Sequence, residues 1–160
     1  MLQRRTSTTI AGIGIAGAIA VGGAVTVASP GVSYAGSASA AVTSATVRAV
    51  SATVAGKRER ILENAKGLPL YYHRHDTTTR SRVSGALAAI WPPFTAKRLP
   101  TASGLSGTLT LVRDSHGKQV AYNGHLLYTF VGDRAGVVTG QGVNNFFVAT
   151  PGISRLPAGY

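Results

Sequence analysis

The chain has 160 residues, 16 Lys and Arg against 5 Asp and Glu, a formal charge of +11 and no cysteine. That length gives room for one modest domain, and the missing cysteine excludes disulfides, thiolate metal sites, a Cys nucleophile and a lipid-modified N-terminal Cys. Stability then has to come from packing, and the charge directs attention to anionic partners.

Arg4 and Arg5 precede an uncharged apolar run over 10–28, and small residues follow at Ser33-Tyr34-Ala35 and Ala38-Ser39-Ala40. This is the order of a secretory signal, read over residues 1–35, with an uncleaved membrane anchor as the alternative. Residues 36–56 are almost all Ala, Ser, Thr, Val and Gly, too poor in large side chains to bury much surface, and they read as a flexible spacer. Within it, Thr46 to Val54 carries Val at intervals that could add an edge strand. The folded domain is therefore placed at 57–160.

From Lys57 the pattern is β. Arg60 to Glu63, the turn residues Asn64-Ala65-Lys66-Gly67 and Leu68 to His73 together predict a hairpin. Thr108 to Val112, the polar turn Asp114-Ser115-His116-Gly117 and Lys118 to Tyr122 predict another. Asn123-Gly124 then gives the strongest short hairpin signal. In Leu126 to Val131 both alternating sets are apolar, which predicts a strand buried on two sides.

The two halves superpose at one constant offset. Gly67 falls on Gly124, Leu70 on Leu127, Tyr71 on Tyr128, Asp76 on Asp133 and Gly85 on Gly142. An internal repeat means one supersecondary unit used twice, each covering the other's apolar face. After Asp76 the copies diverge: Ser84 to Ile90 suits a short helix with Val83, Leu87 and Ile90 on one face, stopped by Trp91-Pro92-Pro93. The corresponding stretch after Asp133 instead predicts a strand over Asn145 to Thr150. The expected fold is mainly β, a small compact β-sandwich or barrel of two pseudo-repeats at about 59–94 and 108–150, with one short helix before the Trp-Pro-Pro corner.

Tyr128-Thr129-Phe130-Val131-Gly132-Asp133 resembles the Tyr-x-aromatic-x-x-Asp motif of the secreted-repeat family of predicted lipoproteins, whose members carry it in tandem. The Trp91-Pro92-Pro93 corner, the run Gly117 to Gly124 and Gly140-Gln141-Gly142 are similar to the same pattern, over about 59–150. The resemblance implies a small, exported, β-rich envelope protein with no assigned reaction. The chain departs from the family in three places. His73 stands where the first motif wants an aromatic ring, Val83 and Leu87 stand where relatives carry a pair of cysteines, and without a lipobox Cys the chain is not expected to be a lipoprotein.

The repeated Tyr71 with Asp76, and Tyr128 with Asp133, admits two readings. In the structural one, Asp accepts hydrogen bonds from turn N–H groups, Tyr buries its ring, and Trp91 and Phe130 complete the apolar part. In the catalytic one, Tyr and Asp converge on a cleft for proton transfer. Structural units repeat more readily than active sites, so no catalytic residue, no enzyme activity and no cofactor are expected. His73, His75 and Asp76 are the candidate metal ligands, as two imidazoles and a carboxylate suit zinc or copper. A buried His73 replacing the ring of Phe130 is the simpler account, and His116 and His125 read as solvated.

Charge is the remaining lead. Lys57, Arg58 and Arg60, Arg80 and Arg82, and Lys97 and Arg98 are the candidate anion-binding residues. For an exported protein these would meet anionic wall polymers or a membrane surface. Nucleic acid is not expected, because no aromatic stripe is interleaved with the basic residues. The sequence therefore predicts an exported, non-enzymatic envelope module for an anionic surface component, with metal binding as the competing reading.

Overall fold

The computed structural model describes residues 45–160, so the targeting segment read over 1–35 and the spacer residues 36–44 lie outside the described residues. The fold begins inside the stretch read as spacer. Strand β1 (Thr46–Val54) pairs antiparallel with β2 (Lys57–Asn64) across Ala55-Gly56. Further along the chain come β3 (Tyr71–His73), helix α1 (Gly85–Ile90) and β4 (Thr101–Ser103), the last pairing parallel with β1.

The expected edge strand is thus the middle of a three-stranded sheet, β2-β1-β4. Its small side chains serve both faces. Val47 and Ala49 pack into one apolar cluster, and Val50, Ala52 and Val54 into another. Small residues look like spacer in the sequence, but on a central strand they need little volume because the neighbouring strands cover them.

The second sheet holds β5 (Leu109–Asp114), β6 (Gly117–Tyr122), β7 (His125–Tyr128) and β8 (Phe146–Val148) with β3, in the order β5-β6-β7-β3-β8. Both predicted turns close where expected, with Asp114 opposite Gly117 and Tyr122 opposite His125. Asn123 and Gly124 take positive φ of 50° and 86°, the backbone a two-residue type I′ turn requires.

The first predicted hairpin is instead a corner between sheets. Leu70 N–H donates to the Leu62 carbonyl at 2.8 Å and Glu63 bridges Pro69, yet β2 and β3 belong to different sheets. The pairing ends there because Ala149 comes between the two: Leu62 N–H donates to the Ala149 carbonyl and Ala149 N–H to the Leu70 carbonyl, each at 2.8 Å.

The architecture is mainly β and sandwich-like, and the described sheets do not close into a barrel. Apolar residues cover both faces of the five-stranded sheet. Leu126 and Tyr128 join Tyr71, Trp91 and Phe146 on one side, while Leu127 joins Leu62, Leu70, Val120 and Tyr122 on the other. In α1 the expected face is only partly used. Val83 before the helix is fully buried and Leu87 packs at the core margin, but Ile90 is 42% exposed. After the Trp-Pro-Pro corner, residues 92–96 enter where β6 and β7 part. Phe94 N–H donates to the Leu127 carbonyl, and the Phe94 carbonyl accepts from Val120 N–H, both at 2.8 Å. Fully buried Gln119 sends its Nε2 to the same Leu127 carbonyl at 2.9 Å.

Candidate functional site

The repeat places its two tyrosines side by side: Tyr71 on β3 is the register partner of Tyr128 on β7. Both are fully buried. Each reaches the Asp of the other copy rather than its own. Tyr71 Oη donates to Asp133 Oδ2 at 2.6 Å, and Tyr128 Oη donates to Asp76 Oδ2 at 2.5 Å. The second carboxylate oxygen of each Asp holds its own loop, again at equivalent positions. Asp76 Oδ1 accepts from Arg82 N–H and Asp133 Oδ1 from Thr139 N–H, each at 2.8 Å. Each loop also begins alike, with Asp76 N–H donating to the His73 carbonyl and Asp133 N–H to the Phe130 carbonyl, both at 3.2 Å.

The exchange extends to the backbone. The return segment of copy one packs on β7 of copy two, with Thr129 N–H donating to the Pro92 carbonyl at 3.0 Å and Pro93 bridging Tyr128. The return strand of copy two, β8, pairs with β3 of copy one from Tyr71–Val148 to His73–Phe146. The copies are therefore interleaved, and each Tyr strand is completed by its counterpart's chain.

The two knots differ in burial. Asp76 is 3% exposed, whereas Asp133 is half-buried. Tyr128 Oη also lies 2.8 Å from Ser81 Oγ. Tyr71 Oη accepts from Gly140 N–H at 3.2 Å, and Asp133 Oδ1 accepts from Thr139 Oγ1 at 2.6 Å. Burial, reinforced by the facing Asp, pushes both phenols far above the ordinary tyrosine range. A phenol so held keeps its proton at neutral pH and serves as a hydrogen-bond donor.

Apolar packing surrounds the knots. Fully buried Trp91 is sandwiched between Phe146, with ring centroids 3.9 Å apart and planes 6° from parallel, and Phe130, at 4.4 Å and 28°. Tyr71 meets the indole edge-on at 5.1 Å. Gly140 passes so close that a Cβ there would lie 2.5 Å from the Trp91 ring, which explains a glycine at that point of Gly140-Gln141-Gly142. Where the resemblance places cysteines, Val83 is fully buried and Leu87 packs against the same cluster.

His73 occupies the ring position that copy two gives to Phe130, is 9% exposed and tilts against Phe146 at 4.8 Å. Its Nδ1 lies 3.1 Å from Asp76 Oδ1. The ring of exposed His75 is 5.5 Å from that of His73. Asp76, however, has both oxygens engaged by Tyr128, Arg82 N–H and His73. Among the described residues no group of three or more His, Cys, Asp or Glu side chains could hold a metal ion.

The other histidines are less solvated than their turn positions suggest. His125 packs against Tyr72 at 4.7 Å with Nε2 2.9 Å from the Ser154 carbonyl, and burial lowers its pKa. His116 turns Nδ1 onto the buried Asp114 carboxylate at 3.5 Å.

The basic candidates fall in separate places. Lys57, Arg58 and Arg60 are exposed on β2, with Arg60 Nη2 donating to the Gly104 carbonyl at 3.3 Å. Arg80 and Arg82 are exposed in the loop that Asp76 holds, and Lys97 and Arg98 follow the segment that enters between β6 and β7. Sequence reasoning passed over Lys118, whose Nζ donates to the Lys97 carbonyl at 3.4 Å. It also missed the Asp114–His116 pair and Ser81; no repeat or motif marks these residues. No described helix is long and apolar enough to cross a membrane.

Residues 110–149, within the second copy, match the family described as a secreted repeat of unknown function. No curated protein and no solved structure matches the chain.

Proposed function

From a secreted repeat whose two copies are tied through their acids, we propose an exported, non-enzymatic module that binds an anionic component of the cell envelope. The observation that carries this reading is the use made of the acidic side chains. Asp76 and Asp133 are held by the tyrosines, Asp114 by His116 and Glu63 by Arg48. Among the described residues Glu59 alone of the five acids is left without such a tie. Among the described residues Arg48 is the one Lys or Arg that is ion-paired with a carboxylate, at 3.4 Å. The remaining cations project a positive field with little internal compensation, and such a field draws anions at low ionic strength and is screened by salt.

Export fits the family description and the signal read at the N-terminus, and binding fits the field. The raised tyrosine pKa values support a scaffolding role for the repeated motif rather than acid-base work near neutrality. The test is sedimentation of the purified full chain with vesicles containing phosphatidylglycerol and, separately, with long-chain inorganic polyphosphate. Binding to at least one probe is expected at low salt, with a loss of about tenfold or more by high salt. Lys97→Gln with Arg98→Gln is expected to weaken it. Absence of binding to both probes at low salt contradicts the reading.

A further inference from the structure

The anion-binding reading leaves open where on the molecule the charge acts. Three surface clefts are linked through residues that they share or that adjoin in the chain. The first is lined by Arg80, Arg82, Ser84, Asp114 and Ser115. The second is lined by Thr95, Lys97, His116 and Lys118. The third is lined by His73, His75, Thr77 and Arg82. Arg82 belongs to both the first and the third. The first and second are lined by adjacent residues of the β5–β6 turn, Ser115 in one and His116 in the other.

Each cleft has at least one Arg or Lys in its lining: Arg80 and Arg82 in the first, Lys97 and Lys118 in the second, and Arg82 beside Tyr160 in the third. The one Asp or Glu among the lining residues, Asp114, has a side chain only 4% exposed and is turned onto His116. That ring directs Nδ1 inward to Asp114, so it meets the second cleft by its other edge. Two features of the fold put the cations there. Asp76 fixes the loop bearing Arg80 and Arg82 through the Arg82 N–H, and the segment inserted between β6 and β7 sets Lys97 beside Lys118. The side chains of Arg82, Lys97 and Lys118 make no ion pair among the described residues. Lys57, Arg58 and Arg60 line none of the three clefts.

Resting on the anion-binding reading, we propose that these clefts form one continuous track for a linear polyanion with regularly spaced phosphate groups, running past His75, Arg82, Arg80, the Ser115-His116 turn, Lys118 and Lys97. Cations in a succession of concave sites suit a flexible charged chain, which can follow each hollow in turn. A flat bilayer would engage cations on a convex face, where its head groups can reach them together. A linear polymer gains from several weak contacts on one strand, so its affinity rises with length although no single phosphate is held tightly.

The test uses the full chain and two variants that remove equal charge. One is Arg82→Gln/Lys97→Gln/Lys118→Gln in the track, and the other is Lys57→Gln/Arg58→Gln/Arg60→Gln on β2. All six side chains are exposed, so both variants are expected to keep the wild-type melting temperature, which is checked first. Binding is measured with long-chain inorganic polyphosphate, orthophosphate and phosphatidylglycerol vesicles. The expected result is tighter binding of polyphosphate than of orthophosphate per phosphate, weakened about 30-fold or more by the track variant and about threefold or less by the β2 variant. Equal losses in both variants, or a larger loss in the β2 variant, overturn the track and leave general anion binding standing. Vesicle binding without polyphosphate binding overturns it in favour of a membrane surface. No binding to any probe at low salt overturns the anion-binding reading itself.

Discussion

Asp76→Ala should lower the unfolding free energy by about 3 to 5 kcal/mol, well beyond the cost of Asp133→Ala, as read by chemical denaturation of the two variants. Asp76 is 3% exposed and accepts hydrogen bonds from Tyr128 Oη, Arg82 N–H and His73 Nδ1. Truncation leaves those donors without their acceptor in a place water does not readily reach, and the cost of an orphaned buried donor exceeds the net value of an ordinary hydrogen bond. Asp133 accepts from a similar set, but it is half-buried, and solvent can replace what is lost. A ranking with Asp133→Ala the more damaging would contradict the burial difference between the knots.

Trp91→Ala should cost about 3 to 5 kcal/mol, measured by far-ultraviolet circular dichroism because the chain's one tryptophan is removed with the mutation. The indole is fully buried between Phe130 and Phe146 and touches Tyr71 edge-on, so its loss opens a cavity at the point where the copies meet. Trp91→Phe should recover a large part of that stability. It keeps an aromatic face between the two rings and removes an indole Nε1 that has no hydrogen-bond partner among the described residues. If Trp91→Ala were as stable as wild type, Trp91 would not anchor the core.

Much of this core can be read from the sequence. The constant offset of Tyr71, Asp76, Tyr128 and Asp133 marks the elements that meet, and the doubly apolar run Leu126 to Val131 marks a strand covered on both faces, although that strand ends at Tyr128 and Val131 is 61% exposed. The reciprocity is not legible. Tyr and Asp stand at the same spacing in each copy, so spacing suits a bond within a copy as well as one across copies, and only the pairing of β3 with β7 decides between them.

The central position of β1 was hidden for a different reason. Its Ala, Ser, Thr and Val residues carry little apolar volume, and the parallel partner Thr101–Ser103 is three exposed residues with no pattern of its own. The sheet change after Asn64 was hidden because the turn chemistry of Asn64 to Gly67 is the same whether the next strand stays or leaves. Among the basic groups, the clusters adjacent in sequence were visible. The meeting of Lys97 with Lys118 depends on residues 92–96 entering between β6 and β7, which no local signal announces.

The central claim, that each tyrosine is secured by the aspartate of the other copy, is tested most directly by double-mutant cycles on Tyr71→Phe, Tyr128→Phe, Asp76→Asn and Asp133→Asn, with stability read by denaturant unfolding. The account predicts coupling of about 1 to 3 kcal/mol for Tyr128 with Asp76 and for Tyr71 with Asp133, and values within about 0.5 kcal/mol of zero for Tyr71 with Asp76 and Tyr128 with Asp133. Coupling confined to the same-copy pairs, or absent from all four, would contradict it.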